Sequence, residues 1–456
     1  MEPSAPNPQP VYKPGDSNQF NAQLPPVRRS WRLKILLGAI VVVLIAVAAY
    51  GAYLSKHKKS ANSSSSGDTS LYYDRAGYDR KKLGTGVGDP LAITMTAKDG
   101  AQILSNGATV LPACAILSQK DLSDSGFKLY PNGFGYPIQQ NYIDKSGRAF
   151  FGPDPAQFPT TSNSISCSYG LVSTKSSVQT VSVGVNQAFT VTNKNIDRAI
   201  DIKQLTKQAD MDGYQVYKRV DGDTLRYLFR KDNDAITLNL QLDDPQQADG
   251  LVQKALSNLT SFTSKPKGVS TVTYNSPTFT KTYAKACDLV GNDEIKQLSG
   301  ADASPLVYAH WATATGVADF SSLSDYKQQT NYLRNACQRF SNYPEYQTLA
   351  GNKTHTLDVT TTTYENTEAA SKGLLYLSVT DGNNSKVKTA GVGEEAYLYR
   401  KEKQNTLAFR QGRVVVELVY DISFQDNDPR VADLTSYGQK LAPIGQTVAG
   451  KLKDYK

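Results

Sequence analysis

Apolar and polar positions fall into three regimes along the chain. Residues 35–54, ILLGAIVVVLIAVAAYGAYL, form an apolar run without a single charge. At about 1.5 Å rise per residue, a helix of this length spans roughly 30 Å, the thickness of a bilayer core. Trp31 lies near one end, and Tyr50 and Tyr53 near the other, where amphipathic rings favour the membrane interface. The run predicts a transmembrane helix. Ala46-Val47-Ala48 resembles a signal-peptide cleavage site, but a long tail precedes the run, whereas signal peptides begin short and basic.

Beyond the run the period changes to two. In FRKDNDAITLNLQL, starting at Phe229, Ile236, Leu238, Leu240 and Leu242 face one way, and Thr237, Asn239 and Gln241 the other. FRQGRVVVELVY, starting at Phe409, places Val414, Val416, Leu418 and Tyr420 in the same way. This alternation predicts antiparallel strands with one face in a core and the other solvated or covered by a helix. TVSVGV from Thr180 and THTLDV from Thr354 read as further strands. A helical pattern follows each long strand, PQQADGLVQKALSNLTSF from Pro245 and DPRVADLTSYGQKLAPIGQTVAGKL from Asp428, with proline placed to suit a first turn.

The cysteines organise these elements. Cys114, Cys167, Cys287 and Cys337 all lie beyond the apolar run. LPACAILSQKDLSDSG and AKACDLVGNDEIKQLSG each place a cysteine after alanine, then a short helix-like stretch that ends at Gly126 or Gly300. Ser118 with Asp121 resembles a capping box, and Asn292 is a candidate N-cap in the second copy. Three ordered landmarks therefore recur, Cys114 with Cys287, Cys167 with Cys337, and Phe229 with Phe409. They predict tandem copies of one α+β domain, each with an antiparallel sheet and helices, following one transmembrane helix. An even number of cysteines suits two structural disulfides in an oxidising compartment. Pairing Cys114 with Cys167 and Cys287 with Cys337 is the simplest of three possibilities, and the spacing leaves the other two open.

Charge sharpens the membrane reading. The chain carries +8 in total, and +6 of this lies within the first 60 residues, flanking the apolar run. That suits anionic headgroups and leaves the outer part without the basic face a nucleic-acid partner needs. Four basic residues precede the run and three follow it, so the positive-inside rule places the N-terminus in the cytoplasm by a narrow margin. The cysteines reinforce that orientation. The expected plan is a disordered proline-rich cytoplasmic tail (1–34), a transmembrane helix (35–54), a flexible Ser/Gly-rich stalk (55–90), and extracytoplasmic α+β domains at 91–267 and 268–456.

No residue set demands catalysis, a cofactor or a metal. GTGVG at Gly84 lacks the Lys-Ser/Thr ending of a phosphate loop and reads as linker. Ser324–Lys327 matches S-x-x-K without the accompanying motifs of acylating enzymes. Asp381-Gly382-Asn383-Asn384 is a turn with too few carboxylates for a calcium loop. His310 and His355 read as structural, and the adjacent Glu394 and Glu395 would point to opposite sides of a strand. With no C-x-x-C pair, the four cysteines read as structural and not as zinc ligands.

A cysteine at a helix start, a second about 50 residues on, then Gly391, Gly393 and Ala396 before a strand, and an Arg410–Gly412 hairpin resemble the small cell-envelope domains of actinobacterial lipoproteins of unknown function. More distantly, they resemble the extracellular sensor domain of mycobacterial serine/threonine kinases. The resemblance covers 283–453 and, more weakly, 93–265; this chain carries no lipobox cysteine and no kinase domain. The overall plan is similar to that of surface proteins of small-genome bacteria such as Saccharibacteria. The resemblance implies disulfide-linked α+β domains that bind ligands or partners. The expected function is a membrane-anchored, non-enzymatic surface protein that binds an envelope component, a partner protein or a neighbouring cell. The alternatives are an envelope hydrolase or transferase with a site between the domains, and a transmembrane sensor.

Overall fold

The computed structural model describes residues 85–456 except 106, 133–135, 147–164, 176–177, 188–192, 263, 277–278, 280–281, 321–328, 342–353, 381–386, 402–403, 424–433, 454 and 456. The predicted tail, transmembrane segment 35–54 and most of the stalk lie outside these residues, as do Ser324–Lys327 and Asp381–Asn384. Among the described residues no helix is long and apolar enough to cross a membrane.

The described part is α+β, and its strand pairings are antiparallel. In chain order it begins with β1 (Thr85–Pro90), β2 (Ala92–Asp99), β3 (Leu104–Ser105), β4 (Ala108–Thr109), α1 (Ala113–Ile116), α2 (Gln119–Asp124) and β5 (Ile138–Ile143). Next come β6 (Ile165–Leu171), β7 (Gln179–Asn186), α3 (Asn193–Ile202), β8 (Thr206–Lys207), β9 (Gln215–Asp221), β10 (Thr224–Lys231), β11 (Asp234–Gln241) and α4 (Ala248–Phe262). The second half runs β12 (Lys267–Asn275), α5 (Ala286–Leu289), α6 (Asn292–Ser299), β13 (Ala303–Trp311), β14 (Ala314–Asp319), β15 (Gln329–Ser341) and β16 (Thr354–Tyr364). It closes with α7 (Thr367–Thr380), β17 (Val387–Lys388), β18 (Glu395–Lys401), β19 (Gln404–Gln411), β20 (Val414–Ser423) and α8 (Leu434–Lys451).

Strand order repeats between the halves. From its edge inward the first half runs β8-β9-β10-β11-β7-β6-β5, and the second runs β17-β18-β19-β20-β16-β15-β13. The two runs join where β5 pairs antiparallel with β13, Gln139 opposite His310 and Asn141 opposite Tyr308. The disulfides occupy matching places, Cys114 on α1 to Cys167 on β6, and Cys287 on α5 to Cys337 on β15. The simplest pairing is thus the one formed, with Cα–Cα distances of 5.0 and 5.1 Å. Two disulfides fit a part of the chain that folds outside the cytoplasm.

The halves do not separate as the two expected domains would. One sheet of sixteen strands runs through both, and all described residues fall in one compact unit, Asp68–Lys456. Residue 267, taken as the end of the first domain, opens strand β12, which pairs with β2. The expected stalk also ends early. Residues 85–90 form β1 against β14, and Gly88 makes this possible, since a Cβ there would lie 2.3 Å from Thr315 Oγ1. The GTGVG stretch is therefore a close-packed strand in its described part.

Each half keeps its own core on one face of the sheet. In the first, Val181, Val183 and Val185 of β7 and Ile236, Leu238 and Leu240 of β11 pack with α4 through Leu251, Leu256 and Leu259. In the second, Val414, Val416 and Leu418 of β20 pack with Leu441, Ile444 and Val448 of α8. The opposite face carries α3 over Leu228 and Ala235, and α7 over Tyr399, Ala408 and Val415. Helix α2 begins with a reciprocal cap. Ser118 Oγ accepts from Asp121 N–H, and Asp121 Oδ2 accepts from Ser118 N–H at 2.9 Å. The second copy differs from expectation: the N-cap is Gly291, whose N–H donates to Glu294 Oε2 at 2.7 Å, and Asn292 is the first helical residue. Helix α6 ends at Gly300 in the left-handed region, φ 72°, where glycine carries no Cβ penalty.

Candidate functional site

Period-two alternation gives the sheet a second face, and in the first half that face is polar. Strand β6 buries Ile165, Cys167, Tyr169 and Leu171 and turns Ser166 and Ser168 the other way. Strands β7 and β11 do the same with Ser182 and Gly184, and with Thr237 and Asn239. Register then assembles these residues into two rows. One runs His310, Gln139, Ser168, Ser182, Asn239, Arg226 across β13, β5, β6, β7, β11 and β10. The parallel row runs Tyr308, Asn141, Ser166, Gly184, Thr237, Leu228.

The middle of both rows is made of small residues, so the face is hollow there. The result is a groove of about 500 Å³, within the range of small-ligand sites. Lys203 and Leu205, just beyond α3, overhang one end. Tyr308 and His310 form the other end, with the Tyr136 ring 5.3 Å from the imidazole. Ser168 and Ser182 share a hydrogen bond of 2.8 Å across the floor. Among the described residues no hydrogen bond engages the side chains of Gln139, Asn141, Ser166 or Asn239.

The groove's electrostatics are one-sided. Lys203 and Arg226 line it and no carboxylate does. Burial lowers the Lys203 pKa from the ordinary lysine value, and the Arg226 charge lowers it further. Burial also lowers the His310 pKa, so the imidazole is neutral at pH 7. Burial raises the Tyr308 pKa, keeping that hydroxyl protonated. Arg226 meets Asp221 at 3.4 Å, while its Nε is buried without a partner.

The matching face of the second half is filled. Aligning the halves on their disulfides and registers sets Gln338 in the place of Ser168, Asp358 in that of Ser182, and Glu417 in that of Thr237. Arg334 pairs with Glu417 at 3.1 Å, and Tyr399 donates to the same carboxylate at 3.3 Å. Tyr332, Tyr364 and Phe320 pack under α7. Gln338, Asp358 and Glu417 thus stand where the first half has Ser168, Ser182 and Thr237.

The residues noted in the sequence lie elsewhere, His310 excepted. His355 Nδ1 bonds the Tyr420 hydroxyl, which also donates to Leu298 O at 3.1 Å, a strand-end contact within the second core. Glu394 ties down the β19–β20 hairpin by pairing with Arg410 and accepting from Gly412 N–H at 3.1 Å. Glu395 points the other way, to the Tyr397 hydroxyl at 2.7 Å. Gly393 is small because a Cβ there would lie 2.5 Å from Arg410 O. The G-x-G-x-x-A stretch thus closes a hairpin. The groove residues carried one local signal, small polar residues alternating with fully buried ones. What the alternation does not disclose is which strands are neighbours.

No protein-family model matches this chain, and no curated protein matches it. Among solved structures, the di-domain ARO/CYC StfQ of the steffimycin biosynthetic pathway aligns at 10% identity, over 79% of this chain and 97% of its own, with a TM-score of 0.13. A likeness that low carries no argument about fold or activity.

Proposed function

We propose that this is a membrane-anchored, extracytoplasmic binding protein, non-enzymatic, whose first-half groove takes a component of the cell envelope. The observation that carries this reading is a half-buried sheet face lined by hydrogen-bonding side chains and free of carboxylates. The groove's arrangement suits holding better than reacting. Ser168 stands two strands from His310, about 10 Å at ordinary strand spacing, far beyond the reach of a general base. Residues 35–54 would hold the protein to the membrane, and the disulfides support an extracytoplasmic position for the folded part. The resemblance to actinobacterial envelope domains adds to this reading.

The test is binding of the full-length protein, purified in detergent, to isolated cell envelopes. Ser182→Leu fills the middle of the groove floor and should abolish binding, while far-UV circular dichroism shows the fold intact. Undiminished binding by Ser182→Leu would remove the groove from the reading. Release of soluble fragments from the envelopes by the wild type would replace binding with hydrolysis.

A further inference from the structure

Resting on the groove being the ligand site, its chemistry narrows the ligand. Arg226 and the Ser168–Ser182 pair lie in one row. Arg226 is followed on successive strands by Asn239, Ser182, Ser168 and Gln139, and Lys203 overhangs the same end as Arg226. From β10 to β13 the row crosses five strand spacings, roughly 24 Å. Serine hydroxyls and side-chain amides both donate and accept, as sugar hydroxyls do. Guanidinium and ammonium groups favour carboxylate or phosphate, and Arg226 has a buried Nε–H without a partner. No carboxylate is among the lining residues, though Asp221 pairs with Arg226 at 3.4 Å from outside the lining; the corresponding positions in the second half carry Asp358 and Glu417 within the face itself. A peptide is disfavoured for a backbone reason. β6, β7 and β11 are each paired on both sides, so the floor has no free edge for an extended chain to join.

We propose that the groove binds a sugar bearing a carboxylate or phosphate, with the anion at Lys203 and Arg226 and the ring hydroxyls on the neighbouring Asn239 and Ser182. The anion sits at the α3 end, and the sugar ring extends toward Tyr308.

Isothermal titration of the full-length protein in detergent with glucuronate, glucose 6-phosphate and glucose tests this. At least one acidic sugar should bind about tenfold or more tightly than glucose, and added salt should weaken it. Lys203→Gln and Arg226→Gln should each weaken the acidic sugar about tenfold more than they weaken any glucose binding. Ser182→Leu should abolish both, with the melting temperature reporting that each variant is folded. The proposal is overturned if neither acidic sugar binds, if glucose binds as tightly as they do, or if the two charge variants match the wild type. Glucose binding that Ser182→Leu removes would leave the groove in place and discard the anion alone. Acidic-sugar binding that Ser182→Leu leaves intact would discard the groove as well.

Discussion

Asp358 offers a sharp test of how the second half uses the face that the first half leaves hollow. It stands on β16 opposite Gln338 of β15 and Val419 of β20, with Asp421 two residues further along β20. Burial raises its pKa to about 6, and the Asp421 charge adds to this, while a hydrogen bond with Gln338 pulls the other way. The unfolded value is near 3.8. The folded state therefore holds this proton more tightly than the unfolded state does. The resulting stability is present in full below pH 3.8 and is lost as pH rises through about 6. At about 1.36 kcal/mol per pH unit, the loss has a ceiling of about 3 kcal/mol. The carboxyl keeps some contact with water, which brings the figure to about 2 kcal/mol. Asp358→Asn keeps the shape and the Gln338 hydrogen bond and removes the charge. At pH 7.5 it should raise the melting temperature by about 2–3 °C, given the unfolding entropy of a unit this size. At pH 3, below both pKa values, the carboxyl is protonated in the folded and unfolded states alike, and the two proteins should melt together. Calorimetric scans at the two pH values measure this. An equal difference at both, or a variant that is less stable at pH 7.5, would refute the reasoning.

Replacing Cys114 and Cys167 by serine should cost about 4 kcal/mol in the chain-entropy account, since the bridge closes a loop of 53 residues. The Cys287–Cys337 pair closes a loop of 50 residues and should cost nearly the same, read as matching shifts in urea midpoint. Glu417→Ala leaves Arg334 without its carboxylate and Tyr399 without its acceptor, and should destabilise by about 3 kcal/mol. Adding Arg334→Ala should recover part of that loss, and a double variant as unstable as the sum of the singles would exclude the coupling.

Much of the fold was legible because its signals are local. The alternation at 236–242 and 414–420 marked strands whose apolar sides do face a helix-covered core. Helix α4 formed where its i, i+3, i+4 spacing of Leu251, Val252, Ala255, Leu256 and Leu259 placed it. The cap at Ser118 formed as expected because Asp121 is three residues away, whereas Glu294 moved the second cap to Gly291. The single sheet was not legible. Its join depends on Gln139 meeting His310 across 171 residues of chain, and nothing in either strand names the other.

By itself, the sequence determined what each segment can do: the apolar run at 35–54, the strand faces, the helix caps and the recurring cysteines. The same alternation, however, produces a polar face in both halves. Whether that face is packed or hollow was decided only by register. In the first half, register lines Ser166, Ser168, Ser182 and Gly184 beside one another, too small to fill the volume above the sheet, and leaves space. In the second it lines Gln338 beside Asp358, and the Arg334 side chain, from its place opposite Thr362, reaches Glu417 on the same face. Side-chain volume is a property of the residue, but a groove is a property of neighbours, and neighbours come from pairing.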